Sequence, residues 1–213
     1  MMPGSMKTPA AGMPNFLKRF VYYQQVCIYS FRLEDKAASF QPRIPLSVQK
    51  LSPGRAKSLH DDPRMDLDGY PWETLEDKLS SRAWHLLTAE HEGRCVGYIF
   101  YSTREMSVTG SKKVDFVMPE HAGYPFKLFV DPSYRGLCIG KYLEQAVNSG
   151  LLSDNCAVAF RATNSTNGIQ LHNYAKLSGA FVGSLSFVRT RVFNTVIISE
   201  GIRRAGLHIK KTR

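Results

Sequence analysis

The chain has 213 residues, 43% hydrophobic and 22% charged, an ordinary balance for a soluble globular protein and enough for one domain with a sizeable core. No apolar run approaches the length of a membrane span, and the opening MMPGSMKTPAAGMPNF lacks the long apolar stretch of a secretory signal. The net charge of +10 is uneven, at +7 over residues 1–57, −6 over 58–92 and +9 over 93–213, so the C-terminal part suits an anionic ligand.

Nucleic acid is the other partner a basic chain suggests. There is no Arg-rich run with interleaved aromatics and no nucleic-acid motif, so that partner is not expected. Cys27, Cys95, Cys138 and Cys156 are scattered without a CxxC, and the histidines lack metal-ligand spacing. Reduced thiols in a cytoplasmic protein, and no metal, are the expectation.

In chain order, residues 1–18 read as a flexible tail, with Met1, Met2, Met6 and Met13 leaving the start open. Residues 19–34 are rich in Val, Ile, Tyr and Phe and alternate from Cys27 to Glu34, which predicts a strand. Ile44 to Leu51 predicts another. Ser52 fits an N-cap and Pro53 a first helical position, so a short helix is predicted to about Leu59. An acidic, turn-rich link, HDDPRMDLDGYP, leads to a second helix from Trp72 to about Ser81. Asp61, Asp62, Asp66 and Asp68 there would either attract a cationic amine or form a solvated linker.

Trp84–Ala89 and Cys95–Ser102 read as a hairpin turning at His91-Glu92-Gly93-Arg94. The connection 103–124 is too long for empty coil; a substrate loop or an extra hairpin is expected, with Lys113–Met118 as a strand. Phe126 to Val130 is an apolar strand stopped by Asp131-Pro132. A basic, Gly-containing turn follows, and from Ile139 the residues Tyr142, Leu143, Ala146, Val147 and Gly150 share one face at the helical period. Free N–H groups at a helix start beside Arg135 and Lys141 suit a phosphate; an ordinary strand–turn–helix link is the other reading. Cys156–Thr163 predicts a strand parallel to the one before the helix. Asn164 to Asn167 cap a helix to about Ser178, ended by Gly179, and two strands follow at 181–188 and 191–198.

The stretch LFVDPSYRGLCIGK, residues 128–141, resembles the acyl-CoA loop of the GNAT superfamily of N-acetyltransferases, whose pattern is Arg/Gln-x-x-Gly-x-Gly/Ala after a Val-ended strand. Arg135 and Gly140 match; Cys138 stands in place of the first Gly, and it keeps the turn only if its backbone avoids positive φ. Ala89, Glu90, Gly93, Gly97 and Tyr98 match the family's hairpin, and NGIQLHNYAKLSGAF matches its Asn-x-x-Ala-x-x-x-Tyr-x-Lys-x-Gly-Phe with Asn167, Tyr174 and Lys176. Gln170 replaces a small residue, and one extra residue precedes Phe181.

The resemblance covers about residues 44–198. It implies an α/β (α+β) GNAT-like acyl-CoA N-acyltransferase fold, with a mixed central sheet, two splayed parallel strands and helices on both faces. The expected organisation is a single domain over 19–200, with an extra N-terminal strand at 19–34 and a basic tail at 201–213. The implied co-substrate is acetyl-CoA or another acyl-CoA. Leu128, Phe129 and Val130 would supply a strand edge for its arm, with one N–H polarising the thioester. Arg135, Gly136, Leu137, Cys138, Ile139, Gly140 and Lys141 would hold the pyrophosphate, and Asn167 would hydrogen-bond the arm. Tyr174 would be the catalytic acid, protonating the leaving thiolate; a phenol near pKa 10 is a plausible donor to a thiolate whose conjugate thiol lies near 8.5. The alternative for this pair is a helix cap and a core aromatic.

The function implied is acetyl transfer to a primary amine by direct attack in a ternary complex. Alternatives are a longer-chain N-acyl amino acid synthase and a non-catalytic acyl-CoA-binding module. The family's occasional Glu base falls on Ala162, so the base is open among Glu90, Asp115, Glu120, His121 and His172. A monomer or a homodimer is expected.

Overall fold

The computed structural model describes residues 22–34, 41–65, 67, 70–110 and 113–210. The expected tail at 1–18, the start of the first strand, Asp66 and Asp68 lie outside the described residues. The described residues divide into two compact units, one of residues 22–30, 107–110, 113–117 and 162–210 and a second of 31–34, 41–65, 67, 70–106 and 118–161.

The second unit carries strands β2 (Ser47–Lys50), β3 (His85–His91), β4 (Arg94–Ser102) and β7 (Ala122–Val130), antiparallel in that order. β8 (Val158–Asn164), which begins in this unit, runs parallel to β7, pairing Ala122 with Val158 and Gly123 with Ala159. The sheet is therefore mixed, with the helix of a βαβ crossover between its parallel strands. β2 is shorter than the 44–51 expected, because Pro45 has no N–H to give a ladder. The β3–β4 turn places Glu92 at φ 49 and Gly93 at φ 75, the double positive-φ turn that matches strand twist.

Helices cover both faces of this sheet. α1 (Pro53–His60) and α2 (Trp72–Ser80) bury Ala56, Leu59, Leu75 and Leu79 against Trp84, Leu86, Tyr98 and Phe100. On the other face α3 (Ile139–Ser153) buries Ile139, Leu143, Val147 and Leu151 against Leu87, Ala89, Ile99 and Tyr101. Alternation along β3 and β4 assigns Leu86 and Leu87, or Ile99 and Phe100, to opposite faces. Gly123 lets α3 lie close, since a Cβ there would come 2.3 Å from Leu151. Arg161 on β8 is buried, paired with Glu144 of α3 and stacked 5.5 Å over the ring of Phe31.

The first unit pairs β9 (Ala180–Arg189) antiparallel with both β10 (Asn194–Ile198) and β1 (Tyr22–Arg32). α4 (Gly168–Lys176) precedes β9. The expected extra hairpin is present: β5 (Glu105–Thr109) and β6 (Lys113–Val117) form a small sheet in the order β11-β6-β5, with β11 at His208–Ile209. Residues 201–210, read from the sequence as the start of a basic tail, are ordered structure. Helix α5 (Glu200–Arg204) lies flush on β9, where a Cβ on Gly201 would come 2.1 Å from the Val182 carbonyl, and Ile209 pairs with Phe116.

α4 ends in a complete pair of closing bonds, Gly179 N–H to the Tyr174 carbonyl and Ser178 N–H to the Ala175 carbonyl. The left-handed residue is Ser178 at φ 54, so the glycine expected to end the helix sits one place beyond the turn.

Candidate functional site

The wall of the site in the second unit is the C-terminal half of β7. Its burial falls along the strand, from buried Ala122–Pro125 to Leu128, which is 39% exposed. Lys127 explains the change of phase. Tyr98 faces Phe129 and Phe100 faces Phe126, so two residues of β7 stand opposite Ile99 alone, and Lys127 takes φ 48. This is a β-bulge, which bends the strand and interrupts its ladder. It puts Phe126 and Phe129, three apart, against the same core.

The bulge leaves the final turn of the ladder regular. The Asp131 N–H donates to the Val96 carbonyl at 3.0 Å. Antiparallel alternation then points the Phe129 N–H toward β4 and turns the N–H and C=O of Val130 to the opposite edge. There the Val130 carbonyl accepts from Arg135 Nε at 3.3 Å. Of the three strand residues singled out from sequence, Phe129 is turned to β4, while Val130 has the geometry to present an N–H to a ligand alongside.

Beyond the strand, Asp131 accepts from the Ser133 N–H at 2.9 Å and closes a 3-10 turn over Pro132–Tyr134. Gly136 takes φ 82 and Cys138 φ 63 before α3 begins. The condition that Cys138 avoid positive φ is therefore not met; the turn keeps its left-handed shape with a cysteine in it. Cys138 makes no side-chain cap at the start of α3, where the N–H groups of the first helical turn have no partner within the helix itself. Arg135, Gly136 and Lys141 are exposed, while Leu137 packs inward and its carbonyl accepts from the Arg43 N–H at 3.2 Å. Gly140 rests on the wall, 3.4 Å from Leu128 and 3.7 Å from Val130 by the Cβ it lacks. An uncapped helix start with a lysine and an arginine beside it attracts an anion. Gly97 brings β4 to the wall from behind: a Cβ there would stand 2.8 Å from the Phe129 carbonyl.

In the first unit Asn167 and Tyr174 sit at opposite ends of α4. Asn167 is the N-cap, its Oδ1 accepting from the Gln170 N–H at 3.1 Å. A carboxamide keeps its NH2 as a separate donor pair. Tyr174, 6% exposed, is the buried residue of a helix that is otherwise mostly exposed, and it meets Tyr29 edge-to-face at 5.4 Å. Phe181 also meets Tyr29 edge-to-face, at 5.5 Å. Burial, then the neighbouring Cys27, raises the pKa of Tyr29 above the usual phenol value.

The candidate bases are variously engaged. Glu90 pairs with Arg55 at 3.2 Å and accepts from Gln49 at 2.9 Å. Asp115 accepts from Ser107 at 2.6 Å and pairs with Lys113 at 3.3 Å, and His121 Nδ1 lies 3.0 Å from the Asn155 carbonyl. Glu120 and His172 are exposed. In the acidic link, Asp61 pairs with Lys57 and Asp62 with Arg64, and these hydrogen bonds hold both carboxyls below the usual range. Their charge is partly neutralised inside the segment. Burial pushes the Cys95 thiol up to about 11 and raises those of Cys27 and Cys156. All four cysteines are free. No helix among the described residues is long and apolar enough to cross a membrane.

A mixed sheet, a bulged strand with an open edge and an uncapped helix start behind a left-handed turn make the fold that of an acyl-CoA N-acyltransferase. The family model described as the acetyltransferase (GNAT) family matches residues 55–180. The chain belongs to that family. No curated protein matches it.

Among solved structures, a Drosophila protein is similar at 12% identity and a TM-score of 0.53, over 80% of this chain and 52% of that one. The chain thus spans about half the length of that protein. The aminoglycoside N-acetyltransferase AAC(6')-Iy, solved with a bisubstrate analogue, aligns at 18% identity and a TM-score of 0.49, over 62% of this chain and 89% of its own. The PaiA N-acetyltransferase of Thermoplasma acidophilum, solved with coenzyme A, aligns at 14% identity and a TM-score of 0.46, over 62% and 88%.

Proposed function

We propose that the chain moves an acyl group, acetyl first among them, from acyl-CoA to a primary amine by direct attack. The observation that carries this reading is the Val130 N–H on the open edge of β7, beside the uncapped start of α3. The edge offers main-chain pairing to the amides of the pantetheine arm. The N–H groups of Ile139 to Lys141, with Arg135 and Lys141, take the pyrophosphate. The Val130 N–H is the donor for the oxyanion that forms when the amine attacks the thioester carbonyl. These are main-chain roles, which is why a cysteine at position 138 is compatible with them. The family motif assigns Asn167 to the arm and Tyr174 to protonating the departing thiolate. The aminoglycoside N-acetyltransferases among the similar structures make an amine acceptor the first class to screen.

Free-thiol release from acetyl-CoA over a panel of amines tests the activity, and Tyr174→Phe tests the acid. The ring stays, so its contact with Tyr29 is kept. Turnover should fall by about a hundredfold or more, with CoA affinity nearly unchanged. Unchanged turnover would remove Tyr174 from the acid role. The burial of Tyr174 and the capping bond of Asn167 favour a second reading, an acyl-CoA-binding module in which both residues only hold α4. That reading requires CoA binding with no thiol release for any amine.

A further inference from the structure

The second unit holds a pocket at the far end of its sheet from the Ile139 turn. α3 starts at that turn and ends at Ser153, with its C-cap Asp154 lining the pocket, and a helix of its 15 residues is about 22 Å long. The cavity measures about 580 Å³, within the roughly 300–1,000 Å³ of small-molecule sites. Lys50 at the end of β2, Arg82 after α2 and Arg104 after β4 line it, with Thr103, His85 and one carboxylate, Asp154.

These cations are not consumed by carboxylates. Among the described residues neither Lys50 nor Arg82 forms an ion pair. Lys50 is held over the ring of Tyr101 at 5.7 Å, and the Tyr101 ring lies tilted against His85 at 4.7 Å. Arg104 gives one N–H of its guanidinium to the Ser81 carbonyl at 3.0 Å, which fixes its fork and leaves other donors. Burial, then Lys50, lowers the pKa of His85, with Arg104 and Arg82 acting in the same direction and Asp154 against. That direction favours the uncharged imidazole, which offers a hydrogen bond to a ligand. Asp154 and the C-terminal end of α3 offset part of the positive charge, but three cations face one carboxylate.

We propose that this pocket is a second binding site, for a small polyanion with clustered phosphate or carboxylate oxygens. Guanidinium forks and an ammonium around a Thr hydroxyl and an imidazole match clustered oxyanions. The site is independent of donor binding and stands or falls without it.

Calorimetric titration of the full chain tests it, with inorganic pyrophosphate in one arm and tricarballylate in the other, each with and without excess CoA. At least one anion should bind, and K50Q/R82Q should weaken that binding about tenfold or more with an unchanged thermal midpoint. CoA should not displace the component that this variant removes. The arm that binds distinguishes a phosphate ligand from a carboxylate one. Absence of binding in both arms at millimolar anion, equal binding by K50Q/R82Q, or full displacement by CoA would overturn the proposal. If K50Q/R82Q does not fold, Thr103→Glu sets a carboxylate at the rim: lost binding supports the site and unchanged binding refutes it. The thiol-release assay reads the acyltransferase proposal separately.

Discussion

Cys138 holds a left-handed conformation, φ 63 and ψ 13, at the place where the family pattern has glycine. An L residue there costs about 1–2 kcal/mol. Cys138→Gly removes that strain and returns about 0.5–1 kcal/mol of it through the freer unfolded chain. A net gain of about 0.5–1 kcal/mol is expected, read as a higher denaturant midpoint with CoA affinity kept. A lower midpoint would mean that the thiol's packing outweighs the strain. The position of this turn was legible from Arg135 and Gly140, but its φ was not, because a motif says which residue is usual and not whether an unusual one strains. Ser178 teaches the same lesson. The end of α4 could be read to within one residue, yet the strained conformation fell on the serine and not on Gly179. The choice of Val130 over Phe129 was beyond the sequence, since it depends on which edge of β7 meets β4.

β4 and β7 are the elements that shape the wall, and Gly97 sets their approach. Gly97→Ala would place a Cβ 2.8 Å from the Phe129 carbonyl, backbone against side chain with no flexible atom to yield. A loss of about 1–3 kcal/mol is expected, with weakened CoA binding because the displaced carbonyl carries Val130 with it. Thermal midpoint and CoA affinity read the two effects, and an alanine variant with both unchanged would detach β4 from the site.

Most elements were legible because their apolar periods are clean; α3 is the clearest, with its face at Ile139, Leu143 and Val147. The first half of β7 was not legible. Ala122-Gly123-Tyr124-Pro125 carries a Gly and a Pro, the two residues that ordinarily argue against a strand interior. The Arg161–Glu144 pair was missed because nothing local in sequence joins β8 to α3 across 17 residues.

The whole chain carries +10, and the part after residue 92 carries +9 of charge on its own. If that field steers an anionic donor, CoA affinity should fall several-fold as salt rises, because the Debye length shrinks from about 10 Å at 0.1 M to about 3 Å at 1 M. Titrations across that range check it, and a flat response would confine recognition to the hydrogen bonds of the turn. The class of the chain was legible, and so was the family, since three separate motifs agreed. The make-up of its compact units was not. Residues 22–30, 107–110, 113–117 and 162–210 lie in one of them, and a scan along the chain has no local cue for grouping segments so far apart.

Lys127 can also be seen as an insertion. Deleting it would leave Leu128 opposite Ile99 and preserve both flanking pairs, Phe126 with Phe100 and Phe129 with Tyr98. The deleted chain should therefore fold with its cores intact while the strand loses its bend, giving near-normal melting and impaired CoA binding. A deletion that leaves CoA binding intact would show the bend to be dispensable. In the language of gaps, a homologue lacking one residue at this place would align smoothly and still lack the bend.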